Sequence, residues 1–102
     1  MSMEIIETPV FTRQAMDLWS EDEYRAFQIA LLERPDAGDV IKGSGGLRKI
    51  RWRHGGKGKR SGVRVIYYRY VEKHQLYLLL AYEKQDQDDL TKEQVKKLRD
   101  LI

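Results

Sequence analysis

LRKIRWR (residues 47–53), SGVRVIYYRYV (61–71) and LYLLLAY (76–82) follow one another with short connections. In the first, Ile50 and Trp52 alternate with Lys49, Arg51 and Arg53, the two-residue period of a strand with one cationic face. The second is rich in β-branched and aromatic residues and reads as a strand on composition. The third is almost continuously apolar, as expected of a strand buried on both faces in the middle of a sheet. Residues 54–60, HGGKGKR, hold three glycines and no apolar side chain, which predicts a cationic hairpin connection; residues 72–75 predict a turn. Three consecutive strands joined this way form an antiparallel meander, which needs a cover for at least one face.

The cover is N-terminal. MEIIET (3–8) reads as a first strand stopped by Pro9. Val10–Leu18 places Phe11, Ala15 and Leu18 on one side of a short helix. A second helix starts at Ser20, which forms a capping box with Glu23 while Trp19 and Tyr24 take the staple positions. Tyr24, Phe27 and Leu31 line its apolar face, and Pro35 ends it. Residues 36–46, with Gly38, Gly43, Gly45 and Gly46, read as a loop. Past the acidic link Asp86–Asp89, Thr91 and Gln94 make another capping box, with Leu90 and Val95 as staple. Val95, Leu98 and Ile102 then share one face of a last helix. The predicted order is β-α-α-β-β-β-α: a small α+β domain over 1–102, an antiparallel sheet with helices packed on one face.

At 102 residues and 41% hydrophobic, the chain has one modest core and little apolar surface to spare for a deep cavity. The absence of cysteine removes disulfides, thiolate metal sites and a cysteine nucleophile. His54 and His74 are the only imidazoles, with no acidic partners at ligand spacing, so no metal or cofactor is expected. No signal sequence or membrane-length apolar run is present, and the chain reads as cytoplasmic with no membrane partner. The net charge of +3 conceals a strong asymmetry. Residues 42–73 carry eleven bases against one acid, a net +10, and the remainder carries −7. Segregated positive charge of this size points to a polyanion, most simply a nucleic acid.

Phosphate-loop, dinucleotide and Ser-His-Asp templates all fail, Gly58-Lys59 being followed by Arg60 rather than Ser or Thr. What remains is a basic strand, a Gly/Lys loop and another basic strand, gathering Arg48, Lys49, Arg51, Arg53, Lys57, Lys59, Arg60 and Arg64. RNA can be cut by its own 2′-hydroxyl if a protein aligns the attack, stabilises charge on the phosphoryl oxygens and moves two protons. Arginine suits the charge task. Lysine crowded by other cations loses its proton more readily and suits the base. The same residues also fit a binding patch without chemistry. Among the aromatics, Trp52, Tyr67, Tyr68 and Tyr70 read as packing residues rather than base-stacking platforms, His54 as incidental, and Asp86–Asp89 as a solvated link that disfavours RNA.

The segments GSGGLRKIR (43–51) and GKGKRSGVRVIYY (56–68), then Tyr82 and Lys84 before DLT (89–91), resemble the HigB-like branch of the RelE/ParE toxin superfamily over nearly the whole chain. The resemblance implies a compact toxin that enters the ribosomal A site and cleaves mRNA there, neutralised by a cognate antitoxin, usually a helix-turn-helix, HigA-like protein. It places Arg64 on the scissile phosphate, and puts Lys49 and Arg51 where RelE-type enzymes carry two catalytic lysines. Arg51 departs from lysine, so Lys57 and Lys59 become candidates for the base. Lys84 stands as candidate acid, although Gln85 follows it where the family pattern has arginine. Arg48, Lys49, Arg53 and Arg60 are expected to bind RNA or ribosome. Two alternatives stay open: a ParE-like inhibitor of DNA gyrase and a non-catalytic basic nucleic-acid-binding module.

Overall fold

The computed structural model describes residues 3–52, 62–84, 86–87 and 89–102. In chain order the elements are β1 (Glu4–Glu7), α1 (Pro9–Leu18), α2 (Glu21–Glu33), β2 (Asp39–Val40), β3 (Arg48–Trp52), β4 (Val63–Tyr70), β5 (Gln75–Glu83) and α3 (Lys92–Arg99). A 3-10 turn over Val71–Lys73 joins β4 to β5. The five strands form one sheet in the order β1-β5-β4-β3-β2. The expected meander is present as β3, β4 and β5, paired antiparallel.

Two features go beyond the sequence expectation. First, β1 pairs with β5 in parallel, Ile5 opposite Leu76 and Glu7 opposite Leu78, so the sheet is mixed. Two helices lie between β1 and the meander and return the chain in the same direction, which strand composition does not reveal. Second, the segment read as a loop at 36–46 contains β2. Asp39 pairs with Lys49 and Val40 with Arg48, and the Ile41 amide donates to the Leu47 carbonyl at 2.8 Å. The tight return is made by Gly43, Gly45 and Gly46 at φ 74°, 73° and 110°, a region closed to most side chains.

Both capping boxes form as expected, at Ser20/Glu23 and Thr91/Gln94. Thr8 caps α1, accepting from the Phe11 amide, and Pro9 sits in the first turn, where its missing N–H costs nothing. α1 also closes the edge of β5 beyond the end of β1. The Thr8 hydroxyl donates to the Leu79 carbonyl, and the Gln14 side chain accepts from the Ala81 amide at 2.8 Å.

The sheet has two apolar faces. Phe11, Ala15, Trp19, Phe27 and Leu31 of the first two helices and the residue after α1 pack on Val63, Val65, Tyr67, Leu76, Leu78 and Ala81. Trp52 joins them as a packing residue, edge-on to Phe27 with ring centroids 5.4 Å apart. On the other face α3 contributes Leu98, flanked by Val95, Leu90 and Ile102, against Leu47, Ile66, Leu79 and Tyr82.

A bulge sets which β5 side chains reach which face. Ile66 pairs with Leu80 but Tyr67 pairs with Leu78, so Leu79 is the extra residue. Leu76 and Leu78 therefore face α1 and α2, Leu79 and Leu80 both face α3, and alternation resumes with Ala81 toward α1 and Tyr82 toward α3. Without that extra residue Tyr82 would point the other way.

Candidate nucleic-acid site on the α3 face of the sheet

β4 alternates, and because Val63 and Val65 belong to the α1/α2 side, Arg64 points to the α3 side. It is only 5% exposed. Directly opposite it across β3 stands Arg51, and across β5 stands Tyr82. Side chains paired in this way share a face, with Cβ atoms roughly 4.5–5.5 Å apart. Lys49, two residues before Arg51 on β3, takes the same face opposite Ile66. The sheet thus gathers Lys49, Arg51 and Arg64 on one side, with the tyrosine beside them. Arg51 is exposed and Lys49 half-buried, so cationic surface at the rim leads inward to a buried guanidinium.

Gly62, just before β4, sits at φ 56° in the left-handed region that side chains rarely adopt. A Cβ there would meet Arg64 Nη1 at 3.9 Å and the Trp52 carbonyl at 3.5 Å, ordinary contacts, so the backbone and not the space calls for glycine. The Gly62 carbonyl also accepts from the Lys84 amide at 3.3 Å. This contact ties the chain at Lys84, two residues past Tyr82, to the start of β4. Lys84 itself is exposed.

The acidic link reaches the same site. Asp89 Oδ1 lies 2.7 Å from Lys49 Nζ. The hydrogen bond from Lys49, then its charge, with a smaller contribution from Arg64, hold the Asp89 carboxyl below the ordinary carboxylate value. The run Asp86–Asp89 is expected to be a solvated link, and nothing in its composition shows that Asp89 folds back on β3. The bulge that turns the Tyr82 side chain toward Arg64 is likewise invisible to strict alternation.

Arg48 is separated from the group. Opposite Tyr67 on the α1/α2 side, its Nη1 donates to the carbonyls of Gly38 (2.7 Å) and Asp36 (3.2 Å), and its Nη2 lies 3.6 Å from the Asp36 carboxylate. Arg69 holds the same carboxylate at 2.7 Å. The Tyr67 hydroxyl donates to the Pro35 carbonyl and accepts from the Gly38 amide. Together these contacts clamp the connection between α2 and β2. Arg53, His54, Lys57, Lys59 and Arg60 lie outside the described residues. Among the described residues no three His, Cys, Asp or Glu side chains come together to hold a metal, and no helix is long and apolar enough to cross a membrane.

A mixed five-stranded sheet, two N-terminal helices on one face and a C-terminal helix on the other define the class: the chain has the fold of the E. coli toxin RelE. Three solved structures carry that statement. A double mutant of the E. coli toxin RelE in the free state superposes with a TM-score of 0.67 at 18% identity, covering 95% of this chain and 97% of that one. The isolated E. coli RelE toxin gives 0.60 at 15% identity over 99% and 100% of the two chains. A chain of the intact E. coli RelBE toxin–antitoxin complex gives 0.59 at 19% identity over 78% and 94%. No known family model matches the sequence.

Proposed function

We propose that this chain is the toxin of a toxin–antitoxin pair, of HigB type within the RelE/ParE superfamily, and that it cuts messenger RNA bound in the ribosomal A site. The observation that carries the reading is the cross-strand row Arg51–Arg64, with Lys49 beside it. A protein that only plugs another enzyme has no need to bury a guanidinium among cations on a sheet. A protein that stabilises a pentacoordinate phosphate does.

In this reading Arg64 binds the scissile phosphate, presenting fixed N–H donors to the oxygens on which charge grows. Arg51 and Lys49 neutralise the same group from the neighbouring strand. The message's 2′-oxygen attacks the adjacent phosphorus and the bond to the 5′-oxygen breaks. The products are a 2′,3′-cyclic phosphate and a 5′-hydroxyl. One proton leaves the 2′-hydroxyl and one arrives on the 5′-oxygen. Lys57 or Lys59 takes the first role and Lys84 the second, while Arg53 and Arg60 contact RNA or ribosome. The nucleophile is the substrate's own hydroxyl, so the scheme calls on no metal or organic cofactor. A helix-turn-helix antitoxin of the HigA kind is the proposed partner, in keeping with the toxin–antitoxin complex among the structures of this fold.

Primer extension on mRNA in a translating extract tests the reading. Wild-type protein should produce stops spaced by codons, and a folded Arg64→Ala variant should produce none. Lys84→Ala should slow cleavage more than it weakens ribosome co-sedimentation; equal losses would make Lys84 a docking residue. Intact transcripts together with failed supercoiling by gyrase would instead favour a ParE-like inhibitor.

A further inference from the structure

We infer that Asp89 is a built-in competitor for the phosphate site, a carboxylate that occupies Lys49 beside Arg64 until a nucleic-acid phosphate displaces it. The inference uses the proposed function only in taking the cationic row for an anion site.

Three observations meet on this residue. Its Oδ1 sits 2.7 Å from Lys49 Nζ, on the face that carries Arg51 and Arg64. The carboxyl titrates below its ordinary value under Lys49 and Arg64, so it is a full negative charge at neutral pH. Its position is also fixed from behind. Gln87 Nε2 donates to the Asp89 carbonyl at 2.8 Å and pairs with Gln94, whose side-chain oxygen accepts from the Thr91 amide in the capping box of α3. Leu90, next in the chain, packs into the apolar cluster under α3. The backbone of the link is therefore anchored at the helix N-terminus, with Asp89 directed at the cations.

The contact is suited to displacement. The Asp89 side chain is 76% exposed and that of Lys49 only 30%, so rotation of the carboxylate opens the site while the lysine stays in place. A surface ion pair of this kind is weak, whereas phosphates along a strand engage several cations at once and release counterions. Short or poorly placed anions must still compete with Asp89, so the device favours a polyanion delivered in register over free phosphate or stray RNA.

The test is fluorescence anisotropy of the full-length protein with a labelled, all-2′-O-methyl single-stranded oligoribonucleotide, which binds but cannot be cut through its sugar hydroxyls. Asp89→Asn should tighten binding about two- to fivefold. Asp86→Asn serves as the control, since it removes the same charge from an exposed residue of the same link. In a Lys49→Met background the gain from Asp89→Asn should fall to that of Asp86→Asn. Equal tightening by both substitutions would reduce the effect to net charge and overturn the inference. Weaker binding by Asp89→Asn would make Asp89 a strut that orients Lys49, which also overturns it. Failure of every variant to bind would remove the anion site itself. A binding gain at Asp89 with no cleavage on ribosomes would leave the inference standing and sink the nuclease instead.

Discussion

Arg64 combines a permanent charge with near-complete burial, 5% exposed on a central strand, beside a second arginine in register. Like charges placed opposite each other in a sheet are unfavourable, so the arrangement costs stability unless an anion joins them. Function is the simplest return for that cost. Arg64→Lys should lose most of the cleavage activity although the charge is kept, because an ammonium cannot present the planar fork. The check is a single-turnover rate alongside an unchanged circular dichroism spectrum, and wild-type rates would refute the role. Tyr67 shows the opposite case, a polar group that is purely structural. Tyr67→Phe leaves the Gly38 amide and the Pro35 carbonyl without their partner and should cost about 1–3 kcal/mol at neutral pH. Burial also pushes the Tyr67 phenol above 10.0. The unfolded chain therefore loses this proton first as pH rises past 10.0, and wild-type stability falls from there through the folded value. Tyr67→Phe should flatten that alkaline slope in denaturant titrations at stepped pH, and an unaltered slope would count against a protonated, bonded phenol.

At the scale of elements, whatever rests on local signals was legible in the sequence. Ser20 and Thr91 announce their helices because a capping box is local chemistry, and Pro35 ends α2 for reasons carried by two residues. The strands of the meander show in their composition. The parallel docking of β1 and the small strand β2 rest on partners far along the chain, which no local period encodes. The bulge at Leu79 is similar: LYLLLAY reads as an unbroken buried strand, yet one extra residue moves Tyr82 to the site face. The site was half legible. The sequence pattern put Lys49, Arg51 and Arg64 together, as the register does, but the pleat places Arg48 on the other face, where it meets Asp36, and Asp89 is added from the link. The GSGG segment also acquires a physical reason. Gly45 has φ 73°, and a Cβ on it would run into Arg99 Nε of α3. Gly45→Ala should destabilise the protein by about 1–2 kcal/mol through the left-handed backbone. Because that strain is in the backbone, Arg99→Ala should restore little of it in thermal melts. Full rescue by Arg99→Ala would shift the cause to the side-chain clash.

Across the whole molecule, charge is sorted as the sheet is. The net +10 of residues 42–73 lies on the meander strands and their connections, and most of the acid on the helices and links around them. Charge segregated in this way attracts a polyanion over a distance. The α3 face brings the buried arginine, its neighbouring cations and the Asp89 carboxylate into one place, and the account stands or falls on whether a message is broken there by its own sugar. The direct measurement uses a purified translation system programmed with two messages that differ by a single 2′-O-methyl group at the A-site nucleotide to be cut. The unmodified message should be cleaved to a 2′,3′-cyclic phosphate end, and the methylated one should stay whole while still binding. Equal cleavage of both, or none of the unmodified message by folded, antitoxin-free protein, would contradict the account.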